Sequence, residues 1–277
     1  MTDLTRRTLA RAAAAAPLLA AAAVAAGAGP AAAAPRRRTT VFVAGDSTAS
    51  VYPEDVAPRA GWGQALPVFA TPRLAVDDRA LSGASSKSFA DLGLLDGILA
   101  DLRPGDRLLI SFGHNDEKTS DPARGTDPAT TYPQYLRRYL DGARRRGALP
   151  VLVTSVERRR FDADGNALAS HGAYPQAVRD LAAAEGVPLV DLQALSLALW
   201  QRLGPEATKE YFLWEPAGSA HYPDGVADNT HFQAHGAIEV ARLVAGELHR
   251  RHLVPPGSLC GLHAPVADDR LVWPAAI

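Results

Sequence analysis

Cysteine is nearly absent. The 277-residue chain has one, Cys260, so an intramolecular disulfide is excluded. A lone thiol is more often an idle small side chain than a nucleophile. Charge of one sign is also missing. The formal net charge is -1, which leaves no basic field to draw in nucleic acid. Lysine appears only at positions 87, 118 and 209, with arginine supplying nearly all the positive charge, a bias expected of a high-GC bacterial source. Strongly apolar runs of membrane-spanning length are lacking too. The one long apolar stretch, Ala12 to Gly27, is mostly alanine, with Leu18, Leu19 and Val24 as its only larger aliphatics. Alanine is too weakly hydrophobic to favour a stable span.

That stretch follows Arg6, Arg7 and Arg11 and precedes the small residues Ala32-Ala33-Ala34. A positive head, an apolar middle and a small-residue end make up an export signal. The string Thr5-Arg6-Arg7-Thr8-Leu9 fits the twin-arginine type. Residues 1–34 are therefore expected to be a cleaved signal peptide, with a secreted domain over 35–277 and no stable membrane association after cleavage.

Beyond Pro35, strand-like and helix-like segments alternate. Short apolar, β-branched runs at Thr39–Ala44, Leu74–Leu81, Arg107–Phe112, Pro150–Ser155 and Pro188–Asp191 read as buried strands. Helical spacing predicts helices over Ser88–Leu102, Tyr132–Arg146, Tyr174–Glu185 and Ala234–Arg251. Residues 204–230 show little regular pattern and read as one long connection, the kind that is usually functional. Strands separated by helices predict an α/β fold: a mainly parallel five-stranded sheet between two helical layers. Its active site belongs at the carboxyl ends of the strands.

Polar residues of catalytic type follow those strand ends. Gly45-Asp46-Ser47-Thr48 comes directly after the first strand. A serine there can present its hydroxyl in a cleft, but it needs a base to take its proton; the plain alternative is a capped turn. Ser82-Gly83 follows the second strand, where a glycine lets backbone approach a substrate closely. Gly113-His114-Asn115-Asp116 follows the third, and an asparagine amide suits a developing oxyanion, though Asn and Asp also favour turns. Asp228-Asn229-Thr230-His231 precedes the last helix. A carboxylate three residues ahead of a histidine can hold its Nδ1, leaving Nε2 free as a base. The rival reading is a metal-ligand pair, with His235 four residues on, but no third ligand or cysteine cluster is in view.

Taken together, Gly45-Asp46-Ser47, Gly83, Gly113-His114-Asn115-Asp116 and Asp228-x-x-His231 resemble the GDSL/SGNH hydrolase superfamily. The strings VFVAGDSTAS, GWGQALPVF, ISFGHND and DNTHFQAHGA resemble, more narrowly, the rhamnogalacturonan acetylesterase family. The resemblance implies a flavodoxin-like SGNH hydrolase fold and deacetylation of a plant cell-wall polysaccharide. It makes Ser47 the nucleophile, His231 the base and Asp228 its partner, with Ser47, Gly83 and Asn115 lining an oxyanion hole. It implies no metal and no organic cofactor. Relatives often carry asparagine where this chain has Asp78, and glutamine where it has Ser111. Substrate contacts are expected from Trp62, Arg158 and Trp214: aromatic rings stack on sugars, and the Arg158-Arg159-Arg160 run can meet an acidic polymer. The expected partner is an acetylated polysaccharide or oligosaccharide, acted on by a monomer. A lipase or thioesterase of the same superfamily, and a non-catalytic carbohydrate-binding protein on the same fold, are the competing readings.

Overall fold

The computed structural model describes residues 37–276. The export segment expected over residues 1–34 lies outside them. The first strand, β1 (Thr39–Gly45), is followed by β2 (Arg59–Ala60), a single helical turn α1 (Trp62–Ala65) and β3 (Leu74–Asp78). Helices α2 (Ser86–Asp91) and α3 (Leu94–Asp101) lead to β4 (Arg107–Ser111), α4 (Thr131–Arg145) and β5 (Leu149–Val153). Then come α5 (Tyr174–Glu185), β6 (Leu189–Val190), α6 (Leu192–Ala207), β7 (Phe212–Glu215), β8 (Val226–Gln233) and α7 (Ala234–Arg250).

Five strands form one parallel sheet in the order β3-β1-β4-β5-β6. Side chains alternate across a strand, so neighbouring residues enter opposite layers. Val41, Val43, Leu109, Val151 and Val153 join the core built with α1, α6 and α7. Phe42, Ala44, Leu108, Ile110 and Leu152 join the other core, built with α2, α3, α4 and α5. Both faces are covered, which is why these strands read as unbroken apolar runs. The architecture is the expected α/β/α sandwich.

In this order the chain runs outward from β1 in both directions, to β3 on one side and to β4 on the other. The crevice beyond the carboxyl ends of β1 and β4 is thus the switch point where such sheets bind ligands.

The structure departs from the expectations in two places and adds one helix. The helix expected over Ser88–Leu102 is two helices, because Gly93 takes the left-handed conformation (φ 77°) between them and Leu92 beside it is 68% exposed. Residues 192–207 form a further helix, capped by the Asp191 side chain on the Ala194 N–H and broken at Gly204 (φ 76°) just before Pro205. The stretch 204–230 is not patternless: it holds β7 and much of β8, which with β2 make a second, antiparallel sheet in the order β2-β8-β7.

Candidate active site

The turn after β1 is fixed from three directions. The Asp46 main-chain oxygen accepts from Ala49 N and Ser50 N, both at 3.1 Å. Asp46 Oδ1 accepts from Thr48 N at 2.9 Å and from Thr48 Oγ1 at 2.8 Å. Tyr52 Oη donates to the Ser47 carbonyl at 2.7 Å. Burial pushes the Asp46 carboxyl above its ordinary range, opposed by the Thr48 donors. Ser47 is left 7% exposed at the rim of this rigid turn.

Residues 228–231 come from the second sheet, where the ladder breaks. Phe212 pairs with Phe232 and Trp214 with Ala227, so Asp228-Asn229-Thr230-His231 bulge out opposite Leu213 alone. A bulge re-aims side chains that a regular strand would alternate. Here it sends Asp228 and His231 the same way. Asp228 Oδ1 closes the bulge by accepting from Thr230 N at 2.7 Å and His231 N at 3.0 Å. Its Oδ2 lies 2.6 Å from His231 Nδ1. His231 Nε2 lies 2.9 Å from Ser47 Oγ. Partial burial raises the Asp228 carboxyl, but the bond and charge of His231 and the two backbone donors outweigh it and bring it down to about 2. An ionised carboxylate only accepts, so Nδ1 carries the ring proton. In the neutral ring Nε2 then accepts from the Ser47 hydroxyl.

Asn115, after β4, is 3% exposed. Its Nδ2 donates to the Ala84 carbonyl at 2.9 Å and its Oδ1 accepts from Lys118 Nζ at 2.8 Å. That pins the amide plane and leaves one of its two N–H donors without an acceptor among the described residues. Gly83 sits one residue before the Ala84 carbonyl with φ 82°, a left-handed conformation that favours glycine. Asp116 anchors the same loop by accepting from Ser86 N and from Thr126 Oγ1. Burial pushes its carboxyl up to about 7 despite these donors.

Behind the loop lies a polar cluster that the sequence reading did not pick out as a site. His114 Nε2 and His171 Nε2 approach the same Val156 carbonyl, at 3.1 and 3.0 Å. A carbonyl only accepts, so both rings donate through Nε2. The His171 Nδ1 faces Glu117 Oε2 at 3.3 Å. Burial, followed by the nearby His171, Arg158 and His231, holds His114 well below the ordinary histidine value, so it is neutral. In the sequence His171 opens the string HGAYPQAVRDLA, which resembles the family, but nothing in its spacing ties it to His114 or Glu117.

The expected substrate contacts fare differently. Trp62 is corrected: it is fully buried in the core beside α7, so no sugar ring reaches it. Arg158 is half-buried and ion-paired with Glu117. Trp214 is half-buried, its Nε1 donates to Asn229 Oδ1 at 3.2 Å, and Arg159 and Lys209 lie 4.8 and 4.9 Å from its ring centroid. Cys260 is exposed and free.

The sequence model of the GDSL-like lipase/acylhydrolase family matches residues 43–237, a span that contains Ser47, Gly83, Asn115, Asp228 and His231. The chain belongs to the GDSL-like lipase/acylhydrolase family. It is 47% identical over 206 residues to rhamnogalacturonan acetylesterase RhgT of Bacillus subtilis, covering 74% of this chain and 87% of that protein. To the probable rhamnogalacturonan acetylesterase YesY of the same organism it is 40% identical over 205 residues, covering 74% and 90%. These relatives place it in the rhamnogalacturonan acetylesterase branch of the GDSL-like family. The crystal structure of YxiM from Bacillus subtilis superposes with a TM-score of 0.66 at 28% identity, over 79% of this chain and 58% of that one. A catalytic mutant of the acetylxylan esterase Axe2 from Geobacillus stearothermophilus shares the fold, with a TM-score of 0.54 at 16% identity over 76% and 94%. The GDSL-like chain is a carboxylic ester hydrolase.

Proposed function

We propose that the protein is a secreted acetylesterase that removes acetyl groups from a plant cell-wall polysaccharide, rhamnogalacturonan first among them, through Ser47, His231 and Asp228. The observation that carries this reading is the unbroken chain of contacts from Asp228 Oδ2 through His231 to Ser47 Oγ, at 2.6 and 2.9 Å. The names of two similar Bacillus relatives support the substrate class. The export-type residues 1–34 support secretion.

In the reaction, His231 Nε2 takes the Ser47 proton as the oxygen attacks the ester carbonyl. Charge builds on the carbonyl oxygen, where the free Asn115 N–H and the backbone N–H groups of Ser47 and Gly83 receive it. Asp228 holds the imidazolium so formed. His231 then returns the proton to the departing sugar hydroxyl, and water repeats both steps to release acetate. Every step is a proton transfer or an acyl transfer that these side chains carry out themselves.

The test is acetate release from acetylated rhamnogalacturonan, acetylated xylan and a triglyceride, measured side by side with the parent and Ser47→Ala. The reading requires the pectic substrate to be the fastest and the variant to be inactive on all three. Triglyceride as the best substrate would transfer the assignment to a lipase. Binding of acetylated polymer with no hydrolysis would make the protein a lectin on an esterase fold.

A further inference from the structure

Asn229 sits at the apex of the bulge that carries Asp228 and His231, and every acceptor it has is taken by two residues. Its Oδ1 accepts from Arg159 Nη1 at 3.1 Å and from Trp214 Nε1 at 3.2 Å. Its main-chain oxygen accepts from Arg159 N at 2.9 Å. The same guanidinium donates through Nε to Thr208 Oγ1 at 3.1 Å and through Nη2 to the Pro205 carbonyl, so it also grips the end of α6. It lies 4.8 Å from the Trp214 ring centroid. Among the described residues no carboxylate stands within ion-pair distance of Arg159, in contrast to Arg158 with its Glu117. Its donors go instead to three neutral oxygens on two separate segments, the bulge and the end of α6.

We propose that Arg159 and Trp214 are positioning residues for the hydrolysis: by clamping Asn229 they hold the Asp228–His231 turn at the distance from which His231 can take the Ser47 proton. The inference rests on the catalytic roles given under the proposed function. Its physical basis is that the bulge lacks the ladder bonds of a regular strand. Asp228 Oδ1 closes it internally, but nothing internal sets where the closed turn sits relative to β1. A guanidinium can satisfy several acceptors in one plane, which a lysine ammonium cannot. A displacement of about 1 Å in a catalytic group costs on the order of a hundredfold in rate.

The test uses Arg159→Lys, Trp214→Phe, Asn229→Leu and Asn229→Asp on a small acetyl ester. Arg159→Lys and Asn229→Leu are expected to lower kcat by about ten- to a hundredfold with KM within about twofold, since substrate binding is untouched. Trp214→Phe keeps the ring and loses one donor, so its drop should be about threefold. Asn229→Asp keeps the acceptor and should stay near the parent. Combining Arg159→Lys with Asn229→Leu should cost no more than either alone, because both break the same contact. A readout independent of turnover is the far-downfield proton resonance of an imidazole Nδ1–H held by a carboxylate. It should shift or broaden in Arg159→Lys and Asn229→Leu and vanish in Asp228→Asn.

Additive losses, a change confined to KM, or an unmoved resonance with unchanged kcat would overturn the clamp while leaving the triad standing. Full activity in Ser47→Ala, or a resonance that survives Asp228→Asn, would remove the triad itself, and the clamp would fall with it.

Discussion

The two sheets do opposite jobs in one site. The parallel sheet is buried on both faces and presents Ser47 and Asn115 at the ends of β1 and β4 on short, hydrogen-bonded turns. The antiparallel sheet is half in solvent, and it presents Asp228 and His231 from inside a strand, on a bulge. The first sets position by close packing, where a shift of one side chain meets neighbours on every side. The second sets position by hydrogen bonds to a few polar atoms. The lesson is that the proposed proton transfer from Ser47 to His231 crosses from the stiffer element to the softer one, between Ser47 Oγ and His231 Nε2.

The largest effect should come from cutting the path on either side of that crossing. Ser47→Ala and His231→Ala are each expected to lower kcat by roughly 10⁴-fold or more, and the double variant by no more than one single, because the two act as a unit. Asp228→Asn should cost on the order of 10³- to 10⁴-fold by allowing the wrong tautomer at His231. Steady-state rates on a nitrophenyl acetate measure all four. Multiplicative losses in the double variant would mean that the two sheets contribute independently, and the comparison would break.

A smaller effect isolates the parallel sheet alone. Asn115→Ala removes the free amide donor and should lower kcat by roughly 10²- to 10³-fold with little change in KM. Asn115 also bonds Ala84 O and Lys118 Nζ, so a Tm measurement must accompany the kinetics. Loss of activity that tracks loss of folded protein would assign Asn115 to loop structure and sharpen the contrast the other way.

The same division explains what could be read from residues alone. Strands buried on both faces show themselves as apolar runs, and β1, β4 and β5 fall within a residue or two of the expected bounds. The order of the site residues along the chain was equally plain, since Ser47, Gly83 and Asn115 each follow a strand and Asp228 and His231 precede the last helix. Strand β8, Val-Ala-Asp-Asn-Thr-His-Phe-Gln, has one fully buried residue, Phe232, and polar side chains along a bulge. Neither period two nor period 3.6 survives in it, so it reads as loop. Helix α6 was missed for another reason. Leu192, Ser196, Leu199 and Trp200 do repeat at helical spacing, but the small polar Ser196 in the middle hides the stripe. Trp62 was misjudged because an indole looks the same in sequence whether it faces a sugar or, as here, the core. Arg159 carries no sequence mark that separates it from Arg158, since only the fold decides which arginine meets Glu117 and which meets Asn229.

The smallest expected effect concerns stability, and it sets one carboxyl of each sheet against the other. Asp228, in the antiparallel sheet, is surrounded by donors and sits at about 2. Asp78, at the end of the edge strand β3, is pushed by burial from an ordinary 3.8 up to about 8, opposed only by the Ala80 N–H on Oδ1 and pushed further by the nearby Asp77. Its Oδ2 is buried with no partner among the described residues, although the residue as a whole is half-exposed. Between pH 4 and 8 the folded chain therefore keeps a proton that the unfolded chain has released. Folding stability from this group is fully present below about 3.8 and is lost as pH rises through about 8, the reverse of Asp228, whose contribution is lost as pH falls from about 4 toward 2. Asn at position 78 has the shape of the protonated acid and cannot ionise, and it keeps the oxygen that accepts from Ala80. Asp78→Asn should therefore raise stability by about 1–3 kcal/mol at pH 8 and leave it nearly unchanged at pH 4, as read from urea unfolding midpoints across that range. An equal gain at both pH values would mean that the benefit comes from packing or from a new hydrogen bond, and that Asp78 is already ionised in the folded protein.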